Sequence, residues 1–559
     1  MKTLDSLRLA PFSLDDSGVA WVEQTLAELD LDARLRQLFV VVLWGNDPER
    51  AIQLAASQPG GITRFIEPDP LMAAETTRAF ASRCKVPPLV SGDLEGGCIG
   101  MPGGTGLPNQ LGLAATGSAE LVEQDVEVLA AEGRALGYNW TFTPVVDINA
   151  AFRSTIVATR SFGSNVDKIL DYARINAQTF QRHGIAACAK HWPGEGHDDR
   201  DQHLVTTSNP LSEADWMASF GRLYRGMIEA GVMSVMSAHI SWPAYARKHG
   251  VSGVEVGRPA SVSSLLNQTL LRGELGFNGL IVSDATGMGG FGAWGRRDVM
   301  VPETIANGCD VLLFPESMEQ DLGYLKAALA DGRLSEARVD EAVTRVLGLK
   351  AALKLHEQSF DERCPPGTVA QAVLRRPAHL EVEKRLASAS VTLVKDVQQT
   401  LPLKLTKHRR IVLITDPNRS GFLSPPSPLL LPGLLRERGF EVRDYQRDQP
   451  PTRDNADLVL YLLGQESFLG QTRIALDWTA LHGEFPACMH RFWHELPCVL
   501  VSLGHPYYLY EAPRMPCVIN AYTGLAPVQQ AVLRKLLGEE AFTGVNPVDP
   551  ACGLPDALF

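Results

Sequence analysis

Eight short apolar runs recur through the first two thirds of the chain, and the segments between them are long enough to form helices. Strands that alternate with helices build parallel βαβ units, and about eight such units close a (β/α)8 barrel. The sequence therefore predicts an α/β fold with a TIM-type barrel over residues 1–355. The apolar runs are 38–43, 61–66, 88–91, 141–148, 185–189, 232–237, 280–283 and 311–314.

A second, smaller unit is expected after the barrel, because 559 residues exceed what one ordinary core holds. Residues 356–380 contain a Cys-Pro-Pro-Gly sequence at 364–367 and many charges, a composition typical of a linker. Residues 381–559 again alternate apolar runs with helical segments. We expect a smaller α/β sheet domain there, whose role is structural or is to complete the substrate cleft.

The composition argues against several classes of partner. Lys and Arg number 52 against 64 Asp and Glu, and nucleic acids or anionic membranes would require a basic face instead. Residues 1–30 lack the basic and apolar regions of a signal peptide, and no apolar run reaches membrane-spanning length. The acidic balance is compatible with a neutral or mildly anionic small substrate. The nine cysteines lack metal-binding spacing, so we expect buried free thiols in a reducing cytoplasm.

Polar residues follow most of the predicted strands. In a barrel, the carboxyl ends of the strands meet at one mouth, where barrel enzymes assemble their active sites. We therefore expect these polar side chains to converge on a single site. In chain order they are Asp93, Asp147, Arg160, Lys190, His191, His239 and Asp284.

The stretch from Lys190 to His203 concentrates titratable side chains directly after the fifth apolar run. Gly194 and Gly196 interrupt regular structure, so this stretch is predicted to be a loop. Asp201 stands two residues before His203, and when the loop turns back its carboxylate would orient the imidazole and favour the protonated ring. The pair is a candidate general acid/base, and a solvated surface loop is the alternative interpretation.

Asp284 is a lone acid at the end of the seventh apolar run, and a carboxylate held rigidly at the barrel mouth suits a nucleophile. Together with His203 it would support double displacement at an acetal carbon, in which Asp284 forms a covalent glycosyl intermediate. The histidine would protonate the leaving oxygen and then activate water. Four charged residues would bind the sugar hydroxyls: Asp93, Arg160, Lys190 and His191.

These motifs resemble glycoside hydrolase family 3, and within it the β-N-acetylglucosaminidase branch, which is marked by a KHxPGxG loop that ends in D-x-H. The loop at 190–203 matches this pattern, and the likeness includes Asp93-x-Glu95-Gly96-Gly97 and the Val-Ser-Asp sequence that ends at Asp284. Residues 387–394 resemble the start of the family's α/β sandwich domain, here expected at 381–559. The resemblance covers most of the chain.

The resemblance implies Asp284 as the nucleophile, His203 as the acid/base and Asp201 as its assistant. It also implies a terminal-sugar site that needs neither a metal nor an organic cofactor. The expected activity is that of a retaining exo-β-N-acetylhexosaminidase, which removes terminal β-linked N-acetylglucosamine from small glycans such as chitin or cell-wall fragments. The residues implied to bind the sugar are Asp93, Arg160, Lys190 and His191.

Four residues depart from the family pattern. Cys98 and Ile99 follow the Glu-Gly-Gly sequence where the family usually has Arg. Glu195 stands where the branch usually has His, and His197 stands where Asp is frequent. These changes bear on loop packing and on the choice of aglycone. Glu195 is also a second candidate proton donor, although His203 is preferred because Asp201 can orient it.

Four other functions are compatible with parts of the sequence. A family 3 β-glucosidase or broad-specificity β-glycosidase is disfavoured by the D-x-H loop, because the glucosidase branch takes its proton donor from a carboxylic acid of the second domain. A phosphorylase is possible because a histidine repels incoming phosphate less than a carboxylate does. A non-catalytic glycan-binding barrel is a further alternative. A metal-dependent hydrolase would draw its ligands from His191, His197, Asp198, Asp199, Asp201 and His203.

Overall fold

The computed structural model describes residues 3–416, 427–466, 470 and 475–559. The strands in this part of the chain are β1 Phe39–Trp44, β2 Gly61–Phe65, β3 Leu89–Gly92, β4 Trp140–Thr141, β5 Cys188–Trp192, β6 Thr207–Ser208, β7 Ser234–Ser237, β8 Ile240–Ser241, β9 Leu280–Ala285, β10 Val311–Leu313, β11 Thr392–Asp396, β12 Arg410–Thr415, β13 Glu441–Asp444, β14 Leu458–Leu463, β15 Cys498–Ser502 and β16 Cys517–Asn520.

Eight parallel strands form a barrel in the order β4-β3-β2-β1-β10-β9-β7-β5. The two strands at the ends of this order, β4 and β5, are joined by backbone hydrogen bonds from Thr141 to Ala186 (2.9 Å) and from Cys188 to Thr143 (3.0 Å). The sheet is therefore nearly closed, and each of the eight predicted apolar runs overlaps one barrel strand. The predicted TIM-type barrel is confirmed. Outside the barrel, β6 and β8 form a small parallel pair.

Helices cover the outside of the barrel, and many of them begin at a side-chain cap. Ser118, for example, accepts a hydrogen bond from the backbone of Leu121, and Asn165 accepts from Asp167 and Lys168. The α-helices up to residue 355 are Thr3–Ser6, Asp16–Glu28, Leu31–Gln37, Pro48–Ala55, Pro70–Ala81, Gln110–Ala115, Ala119–Ala135, Val166–Arg182, Glu213–Ala218, Phe220–Glu229, Pro243–Lys248, Gly289–Gly292, Arg297–Ala306, Met318–Ala330 and Glu336–Ala352. A π-helix spans Leu265–Glu274.

Helices also follow the barrel, first in the segment between the two sheets and then within the second domain. The helices after residue 355 are Phe360–Arg363, Gly367–Val373, Pro377–Ser390, Leu405–His408, Leu431–Glu437, Trp478–His482, Phe485–Cys488 and Ala526–Leu536. Ala370 packs into the barrel core. On the next long helix, Pro377–Ser390, Leu386 belongs to a barrel core cluster and Ala387 belongs to the core of the second domain. One helix therefore serves both cores.

The second domain contains a six-stranded sheet in the order β11-β16-β15-β14-β12-β13. Its strands are parallel except for the pairing of β11 with β16. Apolar side chains cover both faces: Leu431 and Val528 lie in one cluster, and Leu481 and Trp493 lie in the other. This arrangement is an α/β sandwich, as the sequence predicted. Among the described residues, no helix has the length and apolar character needed to cross a membrane.

Candidate active site

Asp284 lies near the end of β9 at the mouth of the barrel, where only 8% of its surface is exposed. Its carboxylate accepts a hydrogen bond from the backbone of Ala285 (2.8 Å). Burial by itself raises the pKa of Asp284, but the neighbouring His191, His239 and His203 hold that pKa below its ordinary value. The carboxylate is therefore kept ionised, as a nucleophile must be.

His239 follows β7 and is fixed by two contacts. Its Nδ1 lies 2.9 Å from the hydroxyl of Ser261, and its Nε2 lies 3.0 Å from the backbone oxygen of Ala285. Burial lowers the pKa of His239, although the charge of Asp284 opposes this shift. The sequence placed His239 at a strand end without a role, and the structure places it beside the candidate nucleophile.

Asp201 and His203 form a pair on the loop between β5 and β6. One oxygen of Asp201, Oδ1, lies 2.7 Å from Nδ1 of His203 and accepts the backbone hydrogen bond of the same residue (2.7 Å). The other oxygen, Oδ2, accepts from the backbone of Gly470 in the second domain (2.7 Å). The carboxylate is fully buried while the histidine side chain is 26% exposed. Asp201 thus orients an imidazole ring that is partly exposed.

The loop that carries this pair is attached to the segment that follows the nucleophile. Gly289 donates its backbone hydrogen bond to the oxygen of His203 (2.7 Å), and Gly290 donates to the oxygen of Gln202 (3.1 Å). A Cβ atom at Gly290 would lie 2.3 Å from that oxygen of Gln202, so only glycine permits this close approach. The loop that carries Asp201 and His203 is therefore held at a fixed position relative to the segment that follows Asp284.

Gln202 anchors the same loop from inside the barrel mouth. Its amide nitrogen donates to the Glu195 carboxyl (3.0 Å), and its amide oxygen accepts from the backbone of His239 (3.1 Å). The side chain is completely buried. The sequence analysis assigned no role to Gln202. Its position between Asp201 and His203 was the only sign that it belongs to the site.

A second carboxylate and histidine pair, Asp147 and His191, lies deeper in the site. Oδ2 of Asp147 is 2.6 Å from Nδ1 of His191, while Oδ1 accepts backbone hydrogen bonds from His191 (3.1 Å) and Glu195 (2.8 Å). Both side chains are buried. His191 lies within β5 and not after it, because the strand continues to Trp192.

The remaining predicted sugar-binding residues form an ion-pair network around Glu95. Arg160 makes a bidentate contact with Glu95 (2.8 Å for both bonds), and Lys190 contacts Glu95 (2.6 Å) and Asp93 (2.7 Å). Burial raises the pKa of Glu95, but the two cations hold it well below its ordinary value. The structure therefore brings Asp93, Arg160 and Lys190 together as charged hydrogen-bonding groups, organised by a carboxylate whose role the sequence analysis missed.

Glu195 belongs to the loop between β5 and β6 and is only 3% exposed. Burial and the charge of Asp147 raise the pKa of Glu195 well above its ordinary value, which favours the neutral carboxyl group. Within the described residues its Oε1 atom has no hydrogen-bond partner, while Oε2 accepts from Gln202. Glu195 is thus a buried carboxyl group that is hydrogen-bonded to Gln202, whereas the His203 side chain is partly exposed.

Asp147, His191 and Glu195 also form a possible metal-binding group, because one ligand atom from each lies within 4.8 Å of the others. However, the ligand atoms of Asp147 and His191 are hydrogen-bonded to each other and so are not free to bind a metal ion. The neutral form of Glu195 is also a poor cation ligand. Of the six metal ligands considered from the sequence, this cluster includes His191 alone. The arrangement fits a hydrogen-bonded network better than a metal site.

Glu466 is a carboxyl group of the second domain that contacts the barrel. It accepts hydrogen bonds from the backbone of Cys98 (3.0 Å), the amide of Asn109 (2.9 Å) and the hydroxyl of Thr523 (2.6 Å). Burial raises the pKa of Glu466. Its oxygens are thus engaged in joining the two domains, and Cys98, one of the departures from the family pattern, lies at this junction.

Comparison with known proteins identifies relatives over the whole chain. The model of the glycosyl hydrolase family 3 N terminal domain matches residues 30–349. A protein of Cellulomonas fimi named "Beta-N-acetylglucosaminidase/beta-glucosidase" is 38% identical, covering 98% of this chain and 98% of that protein. "Beta-hexosaminidase A" of Pseudoalteromonas piscicida is 26% identical, covering 62% of this chain and 60% of its own length.

Two solved structures share the two-domain architecture. "Beta-glucoside phosphorylase BglX bound to 2FGlc" superimposes with a TM-score of 0.91 at 33% identity, covering 98% of this chain and 100% of that chain. A glycoside hydrolase family 3 β-N-acetylglucosaminidase from Paenibacillus sp. str. FPU-7 gives a TM-score of 0.77 at 24% identity, covering 94% of this chain and 100% of that chain. The second likeness concerns the fold.

Proposed function

This chain belongs to glycosyl hydrolase family 3, and we propose that it is a retaining exo-β-N-acetylhexosaminidase. It removes terminal β-linked N-acetylglucosamine from small glycans, such as chitin or cell-wall fragments, in the cytoplasm. The single observation that carries the proposal is the ionised, buried Asp284 beside His203, whose ring is oriented by Asp201 and is partly open to solvent.

In the first step of the proposed reaction, an oxygen of Asp284 forms a bond to the anomeric carbon of the terminal sugar. The bond between that carbon and the leaving oxygen breaks, and protonated His203 transfers its proton to the leaving oxygen. The fixed carboxylate and the clamped loop keep both groups beside the same bond. The product of this step is a covalent glycosyl ester of Asp284.

In the second step, neutral His203 accepts a proton from a water molecule, which attacks the anomeric carbon and releases Asp284. Two inversions at one carbon leave the β-configuration unchanged. The hydroxyl groups of the terminal sugar bind to Asp93, Arg160, Lys190 and His191, because charged partners give the stronger hydrogen bonds.

The choice of sugar rests on the sequence of the loop and on the names of relatives. The loop at 190–203 has the pattern of the β-N-acetylglucosaminidase branch, and two relatives are named for activity on N-acetylhexosaminides. The name of the Cellulomonas fimi protein also includes β-glucosidase, so β-linked glucose is the second substrate to be tested.

Initial rates on paired aryl β-glycosides, one of N-acetylglucosamine and one of glucose, test this proposal in the presence of a chelator. We expect the acetamido sugar to be preferred and the chelator to have no effect. Nuclear magnetic resonance of the first product should show the β-anomer, and Asp284→Ala should abolish turnover of both substrates. A preference for glucose, or an α-anomer as the first product, would contradict the proposal.

Phosphorolysis is a second candidate, favoured by the likeness to the β-glucoside phosphorylase over nearly the whole chain. In this reaction phosphate, in place of water, attacks the glycosyl ester of Asp284. A histidine at position 203 suits an anionic nucleophile better than a carboxylate would, because it does not repel phosphate. Product analysis in phosphate buffer separates the two reactions: free sugar indicates hydrolysis, and sugar 1-phosphate indicates phosphorolysis.

A further inference from the structure

His239 is hydrogen-bonded to the loop that carries Asp201 and His203. Its backbone nitrogen donates to the side-chain oxygen of Gln202 (3.1 Å), the residue between these two. Its backbone oxygen accepts from the backbone of Thr207 (3.1 Å), where the loop ends in β6. The main chain of His239 is therefore attached at two points to the acid/base loop and to the strand that follows it.

The side chain of His239 contacts the segment of Asp284 instead. Its Nε2 lies 3.0 Å from the backbone oxygen of Ala285, the residue after Asp284. The backbone nitrogen of Ala285 in turn donates to Oδ1 of Asp284 (2.8 Å). The imidazole therefore fixes the residue whose backbone nitrogen binds the carboxylate, and His239 joins the nucleophile segment to the acid/base loop.

The protonation of the His239 ring follows from its partners. The backbone oxygen of Ala285 can only accept a hydrogen bond, so Nε2 carries a proton. In the neutral ring Nδ1 is then an acceptor, and it lies 2.9 Å from the hydroxyl of Ser261, which can donate. Burial lowers the pKa of His239 and so favours this neutral form. Both ring nitrogens thus have partners within the protein, which fits a supporting group better than a sugar-binding one.

The surroundings of His239 leave its ring little freedom. The residue is completely buried, and its ring centroid lies 5.3 Å from that of Phe291. A Cβ atom at Gly290 would lie 3.0 Å from the Cβ of His239, so the backbone there is in close contact. Ser261 belongs to the buried 3-10 helix Ala260–Val262. A ring packed this closely holds its hydrogen-bonding atoms in one place.

We propose that His239 is a positioning residue that sets the place of Asp284 relative to the acid/base loop. It acts through two contacts, one from its backbone to Gln202 and one from its ring to Ala285. Double displacement requires the nucleophile and the proton donor to act on one bond, and displacement of either by about 1 Å can cost about a hundredfold in rate. The inference rests on the proposed function for the roles of Asp284 and His203.

Two substitutions at His239 separate its two ring contacts. Asparagine places its amide oxygen near the position of Nδ1, where it can accept from Ser261, but it does not reach Ala285. Glutamine places its amide nitrogen near the position of Nε2, where it can still donate to Ala285. Each variant buries a neutral amide in place of the ring, so the two are matched controls for each other.

The measurement is the rate constant of the first step, from single-turnover release of the leaving group. His239→Asn should lower this rate constant by about a hundredfold for alkyl and dinitrophenyl glycosides alike, because the nucleophile serves both. His239→Gln should stay within about threefold of the wild type. The half-saturating substrate concentration should change by less than about twofold in both variants. Equal rates in the two variants, or rates that follow their Tm values, would overturn the inference.

Gln202→Met tests the backbone contact, because methionine lacks the amide oxygen that accepts from His239. It should lower the first-step rate constant for an alkyl glycoside by about tenfold and leave that for a dinitrophenyl glycoside within about twofold, because only the proton donor is displaced. An equal loss on both substrates, or none, would contradict the inference, even if His239→Asn does not fold.

The double variant His239→Asn/Gln202→Met tests whether the two contacts act together. Its loss on the alkyl glycoside should be smaller than the product of the two single losses, because both substitutions break the same connection. Losses that multiply would show that the contacts act independently and would contradict the role of His239 as a link.

Crystal structures of the wild type and of the two His239 variants give a readout that does not depend on turnover. In His239→Asn the carboxylate of Asp284 should be displaced relative to His203 by about 1 Å, whereas His239→Gln should retain the wild-type arrangement. An unmoved Asp284 in His239→Asn would refute the inference even if the wild type hydrolyses aryl glycosides. A displaced Asp284 in a protein whose wild type turns over no glycoside would refute the proposed function and leave the positioning role in place.

Discussion

Two carboxylate and histidine pairs at the barrel mouth have nearly the same internal geometry. The distances from carboxylate oxygen to Nδ1 are 2.6 Å in the Asp147 and His191 pair and 2.7 Å in the Asp201 and His203 pair. Their surroundings differ, because the His191 side chain is 5% exposed and the His203 side chain is 26% exposed. The hydrogen bond within each pair therefore does not distinguish the two pairs, whereas the exposure of the histidine does.

The supporting structure explains the difference. The Asp147 and His191 pair is held by strand β5 and by backbone hydrogen bonds to Asp147, so its ring is a fixed part of the floor of the site. The other pair lies on a loop, where the carboxylate is buried and the ring is partly exposed. We therefore propose that His191 binds a sugar and that His203 exchanges protons.

Among variants of the two carboxylate and histidine pairs, the largest expected effect comes from His203→Ala, measured with substrates of different leaving groups. For an alkyl β-glycoside, whose leaving oxygen needs a proton, kcat should fall by about a thousandfold. For a dinitrophenyl glycoside the first step should change by less than about tenfold, because that leaving group departs as an anion. An equal loss for both substrates would contradict the role of the exposed pair.

Asp201→Asn should have the next largest effect. The amide cannot stabilise a protonated ring as the carboxylate does, so kcat for the alkyl glycoside should fall by about a hundredfold. The pH profile of kcat/KM should also change on the limb that reports the acid/base. Asp198→Asn is a control on the same loop, because its carboxylate pairs with the exposed Arg200. A profile identical to the wild type would remove Asp201 from the mechanism.

His191→Ala tests the buried pair and should have a smaller effect that does not depend on the leaving group. Loss of one hydrogen bond to the sugar should lower kcat/KM by about tenfold to a hundredfold for every substrate. The measurement is the ratio of kcat/KM values between alkyl and dinitrophenyl glycosides, which should equal that of the wild type. A changed ratio would mean that both pairs handle protons.

Glu195→Gln should have the smallest effect on activity, within about threefold, because glutamine keeps a neutral acceptor for Gln202. A loss as large as that of His203→Ala would make Glu195 the proton donor.

The same variant tests the raised pKa of Glu195. Because folding raises the pKa of this carboxyl group, the stability that Glu195 contributes is present at low pH and is lost as the pH rises above about 4.5. The Tm of the variant relative to the wild type should therefore increase between about pH 5 and about pH 8.

Much of the fold and of the site could be predicted from the sequence, because parallel strands impose a simple order. Asp93, Lys190 and Asp284 follow or end apolar runs, and the barrel brings the carboxyl ends of those runs together. Asp201 and His203 are two residues apart, so a single turn of the loop allows their contact. The assignment of catalytic and binding roles to these residues is still a prediction.

Contacts between distant parts of the chain could not be predicted in this way. Glu95 and Arg160 are 65 positions apart, and their pairing depends on how two loops close over the mouth. Asn109 and Glu466 are 357 positions apart and meet only when the domains are in contact. Gln202 carries no charge and belongs to no apolar pattern, so nothing in the sequence distinguished it as the anchor of the loop.

The helix Pro377–Ser390 has a consequence for how the protein unfolds. Its consecutive residues Leu386 and Ala387 are buried in different cores, one in the barrel and one in the sandwich. Melting of this helix would expose apolar surface in both units at the same time, so neither unit keeps a complete core without the other. We therefore expect one cooperative thermal transition for the whole chain, and we expect binding at the barrel mouth to protect the sandwich domain from proteolysis as well.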